Sequence, residues 1–117
     1  MVFVATRAGD DELCTGLRVE DAARLREAIE FVREPYAGKQ VPTGQDALAF
    51  SRAVVDALAS LKADADTRIA GMLFELAAVA PNNVADIEPR FGKEVADMVT
   101  NIRQLMRLHE GMFTRRH

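Results

Sequence analysis

Apolar positions recur along this chain at steps of three and four, and that spacing predicts helices almost throughout. The densest stretch is Asp64–Asn83, where Ile69, Met72, Leu73, Leu76, Ala77 and Ala80 mark one helical face. Phe74, Ala78 and Val79 add apolar groups on its other faces, as expected of a helix at the centre of a bundle. Asp64 or Asp66 would cap its start, and Pro81, lacking an N–H, would end it. An amphipathic helix is predicted from about Glu20 to Tyr36, with Ala22, Leu25, Ile29, Val32 and Tyr36 inward. Its other face carries Arg24, Arg26, Glu27, Glu30 and Arg33.

After a connector at Ala37–Pro42, Thr43-Gly44-Gln45-Asp46 has the form of a capping box. The helix that follows should run to Leu61, burying Leu48, Val54, Val55, Leu58 and Leu61. Asn82-Asn83 would cap a short helix over Val84–Arg90, and Phe91-Gly92 would break it. A last helix is predicted over Lys93–His109, striped by Val95, Met98, Ile102 and Leu105, with Val99 and Met106 alongside. Residues 1–18 show no sustained period and read as an irregular N-terminal segment, leaving 19–117 as the folded domain. The fold class is therefore all-α, a bundle of about five helices with short connections.

Composition narrows the function classes more than it identifies one. A chain of 117 residues suffices for one compact domain, and its 49% hydrophobic and 28% charged content is that of a globular protein. A net charge of -3 with scattered Lys and Arg offers no basic stripe for nucleic acid. No apolar run approaches the roughly 20 residues of a membrane span, and Met1–Thr6 is too short for a signal peptide. One cysteine, Cys14, excludes an internal disulfide and fits a reducing cytoplasm.

Spacing alone reveals no active site. His109 and His117 stand at the end of the chain beside Glu110, where a solvated tail is the plainer reading than a metal site. Cys14 has no histidine near it in sequence to form a nucleophilic pair. Gly9-Asp10-Asp11-Glu12 lacks the alternating ligands of a calcium loop and reads as an acidic turn. Gly44 and Gly92 are isolated, so no phosphate-cradling loop appears. Met72, Met98, Met106 and Met112 read as core filling.

Taken in order, however, the segment Thr43–Glu110 resembles the N-terminal hydrolase domain of the RelA/SpoT family. Gly44-Gln45-Asp46 falls on the family's Gly-Glu-Pro, and Phe50-Ser51 on its His-Pro. Asp66-Thr67 falls on its Asp-x-x-Thr-like helix start, and Ala70–Glu75 on Ala-x-Leu-Leu-His-Asp. Ala78-Val79 occupies the place of a Glu-Asp pair. Ile87, Phe91-Gly92 and Val95-Ala96 keep Ile-x-x-x-Phe-Gly-x-x-Val-Ala in full, and Val99–Leu105 answers Val-x-Gly-Val-x-Lys-Leu.

The resemblance implies an all-α domain of the His-Asp (HD) class, which in hydrolase-competent members uses manganese to remove the 3′-pyrophosphate of guanosine tetraphosphate. It also implies that this copy is degenerate. Phe50 and Phe74 have no lone pair for a metal, and Ala78 and Val79 cannot orient water or carry a proton. Glu75 alone keeps a carboxylate, and the family's fourth ligand would lie beyond His117, so no catalytic residue and no cofactor are expected.

This pattern is similar to the RelA branch of dedicated synthetases, an impression strengthened by Arg103–Leu108. It implies a regulatory module of a GTP pyrophosphokinase of the stringent response, partnered by the synthetase and other domains of a longer protein. Val41-Pro42 stands where the family places a basic residue that grips guanine, and Arg52 and Lys62 are nearby but unaligned, which leaves nucleotide binding in doubt. Two other readings compete. One is a divergent hydrolase using Glu75, Asp86 or Asp56 with His109. The other is a free-standing interaction module, a homodimer joined through Val2, Phe3, Val4, Met112 and Phe113.

Overall fold

The computed structural model describes residues 9–102. Within them the chain runs α1 (Asp10–Leu13), α2 (Val19–Tyr36), α3 (Ala47–Ser60), α4 (Ala65–Leu73) and α5 (Leu76–Val79). A 3-10 stretch, Pro81–Asp86, leads into α6 (Ile87–Phe91), and residues 93–102 form α7. Extended pairing among the described residues amounts to one isolated bridge, Gln40 to Asp46. The all-α expectation holds.

The predicted stripe of α2 is the spine of the core, with Leu25, Ile29, Val32 and Tyr36 fully buried. Ile69, Met72 and Leu73 of α4 and Leu76 of α5 close over it. Val95 and Val99 join the same core from α7. Burying side chains of this size stabilises by about 1.5–3 kcal/mol each, which makes the α2–α4 seam the centre of the fold. Gly71 lets α3 and α4 approach: a Cβ there would stand 2.8 Å from Leu58 Cδ1. Arg24 ties three elements, its guanidinium 2.9 Å from Asp66 Oδ1 and donating to the Phe91 carbonyl at 3.2 Å. Phe31 packs edge-on to Phe91 at 5.7 Å, with the Arg90 guanidinium over its ring.

Four local expectations are corrected. The residues that start α3 are capped by Asp46, whose carboxylate accepts the Ala49 N–H at 3.0 Å, and not by Thr43. Thr43 belongs instead to a tight turn closed by Gly44 N–H to the Val41 carbonyl, with Gly44 at φ +93°. Leu61 is 78% exposed, because α3 stops at Ser60 and Lys62 turns the backbone into the left-handed region. The helix expected over 84–90 starts as a 3-10 stretch led by Pro81, and neither Asn82 nor Asn83 caps it. Residues 1–18 are not wholly irregular: α1 is one helical turn with Leu13 fully buried.

The central helix starts as expected, with Asp64 accepting the Thr67 N–H at 2.9 Å. The Thr67 hydroxyl and, after it, this N–H hold the Asp64 carboxyl below its ordinary range. The helix does not run unbroken to Pro81. It ends at Leu73 and resumes at Leu76. Gly92, at φ +102°, ends α6 where Phe91-Gly92 predicts a break. Val2, Phe3, Val4, Leu105, Met106, His109, Met112, Phe113 and His117 lie outside the described residues.

Candidate functional site

The break at Phe74-Glu75 has a visible cause. Tyr36, at the end of α2, is fully buried and donates its hydroxyl to the Met72 carbonyl at 2.7 Å. A continuing helix would give that carbonyl to the N–H of Leu76, four residues on. A side chain inserted into the helical ladder is a recognised source of kinks. The N–H groups of Glu75 and Leu76 face the same phenol oxygen. Burial pushes the Tyr36 phenol far above its usual range, the neighbouring Glu75 carboxyl pushes the same way, and these backbone groups and Ser51 pull partly back.

Around this break stand the positions singled out by resemblance. Phe50 comes from the first turn of α3, and Phe74 and Glu75 from the joint between α4 and α5. The two rings lie 6.5 Å apart between centroids, tilted by 54°. That is contact range for an aromatic pair. Phe74 is buried and Phe50 half-buried, so the pair seals the corner between α3 and α4 with hydrocarbon. Glu75 is 7% exposed, and burial alone raises its carboxyl above the usual range. Ala78 faces solvent on α5, and Val79 is half-buried, its carbonyl accepting the Lys39 ammonium at 3.1 Å.

Ser51, next to Phe50, is fully buried. Its hydroxyl sits close enough to the Tyr36 oxygen to favour the charged phenol, yet it makes no aligned hydrogen bond. Tyr36, Ser51 and Glu75 therefore form a small polar island beside the aromatic pair. Sequence reasoning missed it, having read Tyr36 only as the last apolar position of α2. The available signal was the residue type: a tyrosine closing a buried stripe must find a partner for its hydroxyl.

The residues at the aligned positions do not fit a manganese ion. Oxygen and imidazole donors are what such a cation takes, and the Phe50–Phe74 pair supplies neither. Among the described residues no three His, Cys, Asp or Glu side chains converge. Of the carboxylates in the divergent-hydrolase reading, Asp86 is exposed in the 3-10 stretch and Asp56 half-buried on α3. His109, its remaining member, lies outside the described residues. Cys14 is buried, with its thiol directed at the Ala22 carbonyl.

Comparison with known proteins agrees with this architecture. The HD domain family matches residues 28–116, leaving α1 and the first turns of α2 outside the matched stretch. The bifunctional (p)ppGpp synthase/hydrolase SpoT of Escherichia coli K12 is 31% identical over 94 residues, 80% of this chain and 13% of that protein. Guanosine-3′,5′-bis(diphosphate) 3′-pyrophosphohydrolases of Escherichia coli O157:H7 and Shigella flexneri match at the same 31% identity and the same coverage. The chain thus spans 13% of the length of these relatives. No solved structure gives a significant match. By the extent of the family match and the agreement of the helical architecture, the chain belongs to the HD-domain family, as an HD domain of the RelA/SpoT kind.

Proposed function

We propose that this chain is a catalytically silent HD domain, a regulatory and structural module of a RelA-type GTP pyrophosphokinase. The observation that carries the reading is the Phe50–Phe74 contact, hydrocarbon at the two positions where the resemblance puts histidines. Glu75 is the one carboxylate left, and a single buried carboxylate holds a divalent cation poorly. Ala78 and Val79 supply nothing that could activate water. Neither manganese nor another cofactor is required in this reading; the aromatic pair does for the corner what a metal would do by tying α3 to α4.

The module's partners would be the synthetase and other domains of the same polypeptide, in the cytoplasm, without nucleic acid or membrane. Its effect on them would be a two-state coupling: the domain contact favours one state of the synthetase over the other. Guanine nucleotide binding has little support, since Val41 is buried and Pro42 has no charge to offer. The relatives' names keep a hydrolase as the alternative, with Glu75 as its remaining acid.

Incubating the chain with guanosine tetraphosphate and manganese decides between them. Pyrophosphate release at the no-enzyme rate is expected. Manganese-dependent release that disappears in Glu75→Ala would overturn the silent reading.

A further inference from the structure

Three arginines from three different helices converge on the N-terminal turn. Arg26 of α2 pairs with Asp11. Arg52 of α3, mostly buried, stands 2.9 Å from Asp10 Oδ1. Arg68 of α4, 2% exposed, donates through Nη1 to the carbonyls of Leu13 at 2.9 Å and Thr15 at 2.8 Å. Its Nε donates at 2.9 Å to the Ala63 carbonyl, so the same guanidinium braces the α3–α4 turn.

The turn is also set apart from the bundle. Gly16 follows it at φ +82°, a conformation that glycine adopts with little strain. The fit to the HD family starts only at residue 28, beyond it. One apolar anchor, Leu13, and the thiol of Cys14 seat it on the core. The Asp11 side chain is 91% exposed in its pair, so that tie weakens as salt is added.

We propose that residues 10–15 are an electrostatic strap, which opens about Gly16 as a unit while the HD bundle stays folded. Opening parts Asp10, Asp11 and the Leu13 and Thr15 carbonyls from the guanidinium groups of Arg52, Arg26 and Arg68. Local opening below the global unfolding free energy is expected where few apolar contacts and several screened polar ones hold an element.

Cys14, the single cysteine of the chain, reports on the strap directly. Closed, its thiol is buried, and burial raises its pKa, so it reacts slowly. The test is the rate of thiol labelling of the full chain by a disulfide reagent, against the free energy of global unfolding from urea titration. The parent should label faster than global unfolding permits, and faster still as sodium chloride rises from about 20 to 500 mM. Asp10→Asn with Asp11→Asn, which remove both carboxylates from their arginines, should speed labelling roughly tenfold with unchanged far-ultraviolet circular dichroism. Labelling at the rate set by global unfolding overturns the strap. So does labelling indifferent to the paired substitution.

Discussion

Replacing Tyr36 with phenylalanine keeps the ring and removes one atom, the hydroxyl that interrupts the central helix. In the parent that oxygen donates to the Met72 carbonyl at 2.7 Å, and both residues are fully buried. The variant leaves a buried carbonyl without its donor, which costs about 1–3 kcal/mol. For a chain of this size roughly 4 °C of Tm accompanies each kcal/mol, so Tm should fall by about 4–12 °C. Urea denaturation followed by circular dichroism measures the loss, and the m-value should be unchanged because the surface exposed on unfolding is the same. Hydrogen exchange at Glu75 and Leu76 should quicken together, since their N–H groups face the lost oxygen. A loss below about 0.5 kcal/mol, with the Leu76 amide more protected than before, would refute the reasoning. It would mean that Leu76 N–H takes the Met72 carbonyl and the helix closes, so that the hydroxyl is not what holds the break open.

The polar island and the strap give further expectations. Burial raises the Glu75 carboxyl, so the native state holds that proton more tightly than the unfolded chain. The stability it contributes is therefore full below the ordinary carboxylate range and is lost as pH rises through the raised native value. Glu75→Gln should match the parent near pH 4 and exceed it at pH 7 in urea titrations; a parent that gains stability against the variant over that range would contradict the assignment. Arg68→Met keeps the apolar stem but strips donors from the Leu13, Thr15 and Ala63 carbonyls, and should destabilise by about 2–4 kcal/mol. Arg68→Lys should recover only part of that, because an ammonium lacks the planar fork that reaches both the strap and the α3–α4 turn. Equal stabilities of the two variants would show that geometry at Arg68 does not matter.

The features legible in the sequence were those that one helix decides for itself. The α2 stripe follows from spacing alone, and each of Leu25, Ile29, Val32 and Tyr36 is buried as the period requires. Asp64 caps α4 by a bond to its own third neighbour, and Gly92 ends α6 through its own φ. What stayed hidden depends on atoms distant in sequence. The break at Phe74-Glu75 is set by a hydroxyl from α2, and no local propensity at that apolar stretch announces it. Leu61 looks like a core position by period, but the stripe has no meaning once the helix has ended one residue earlier. Thr43 lost the cap to Asp46 because the Gly44 turn consumes it. Arg68 carries no signal of its own in the sequence, yet it is buried and reaches the Leu13 and Thr15 carbonyls, more than fifty residues away. At the candidate site, resemblance named Phe50, Phe74 and Glu75, and it is the fold that brings them to one helix joint. Tyr36, which completes the joint, carries no motif, and Ser51 stands only where the resemblance puts a proline.

The central claim, that hydrocarbon stands where a metal site would be, is tested most directly by calorimetric titration of the purified chain with manganese. Only heats of dilution are expected, with Tm unchanged by the metal, because a ligand that does not bind the native state cannot stabilise it. A saturable isotherm near one manganese per chain, lost in Glu75→Ala, would contradict it and return the domain to the hydrolases.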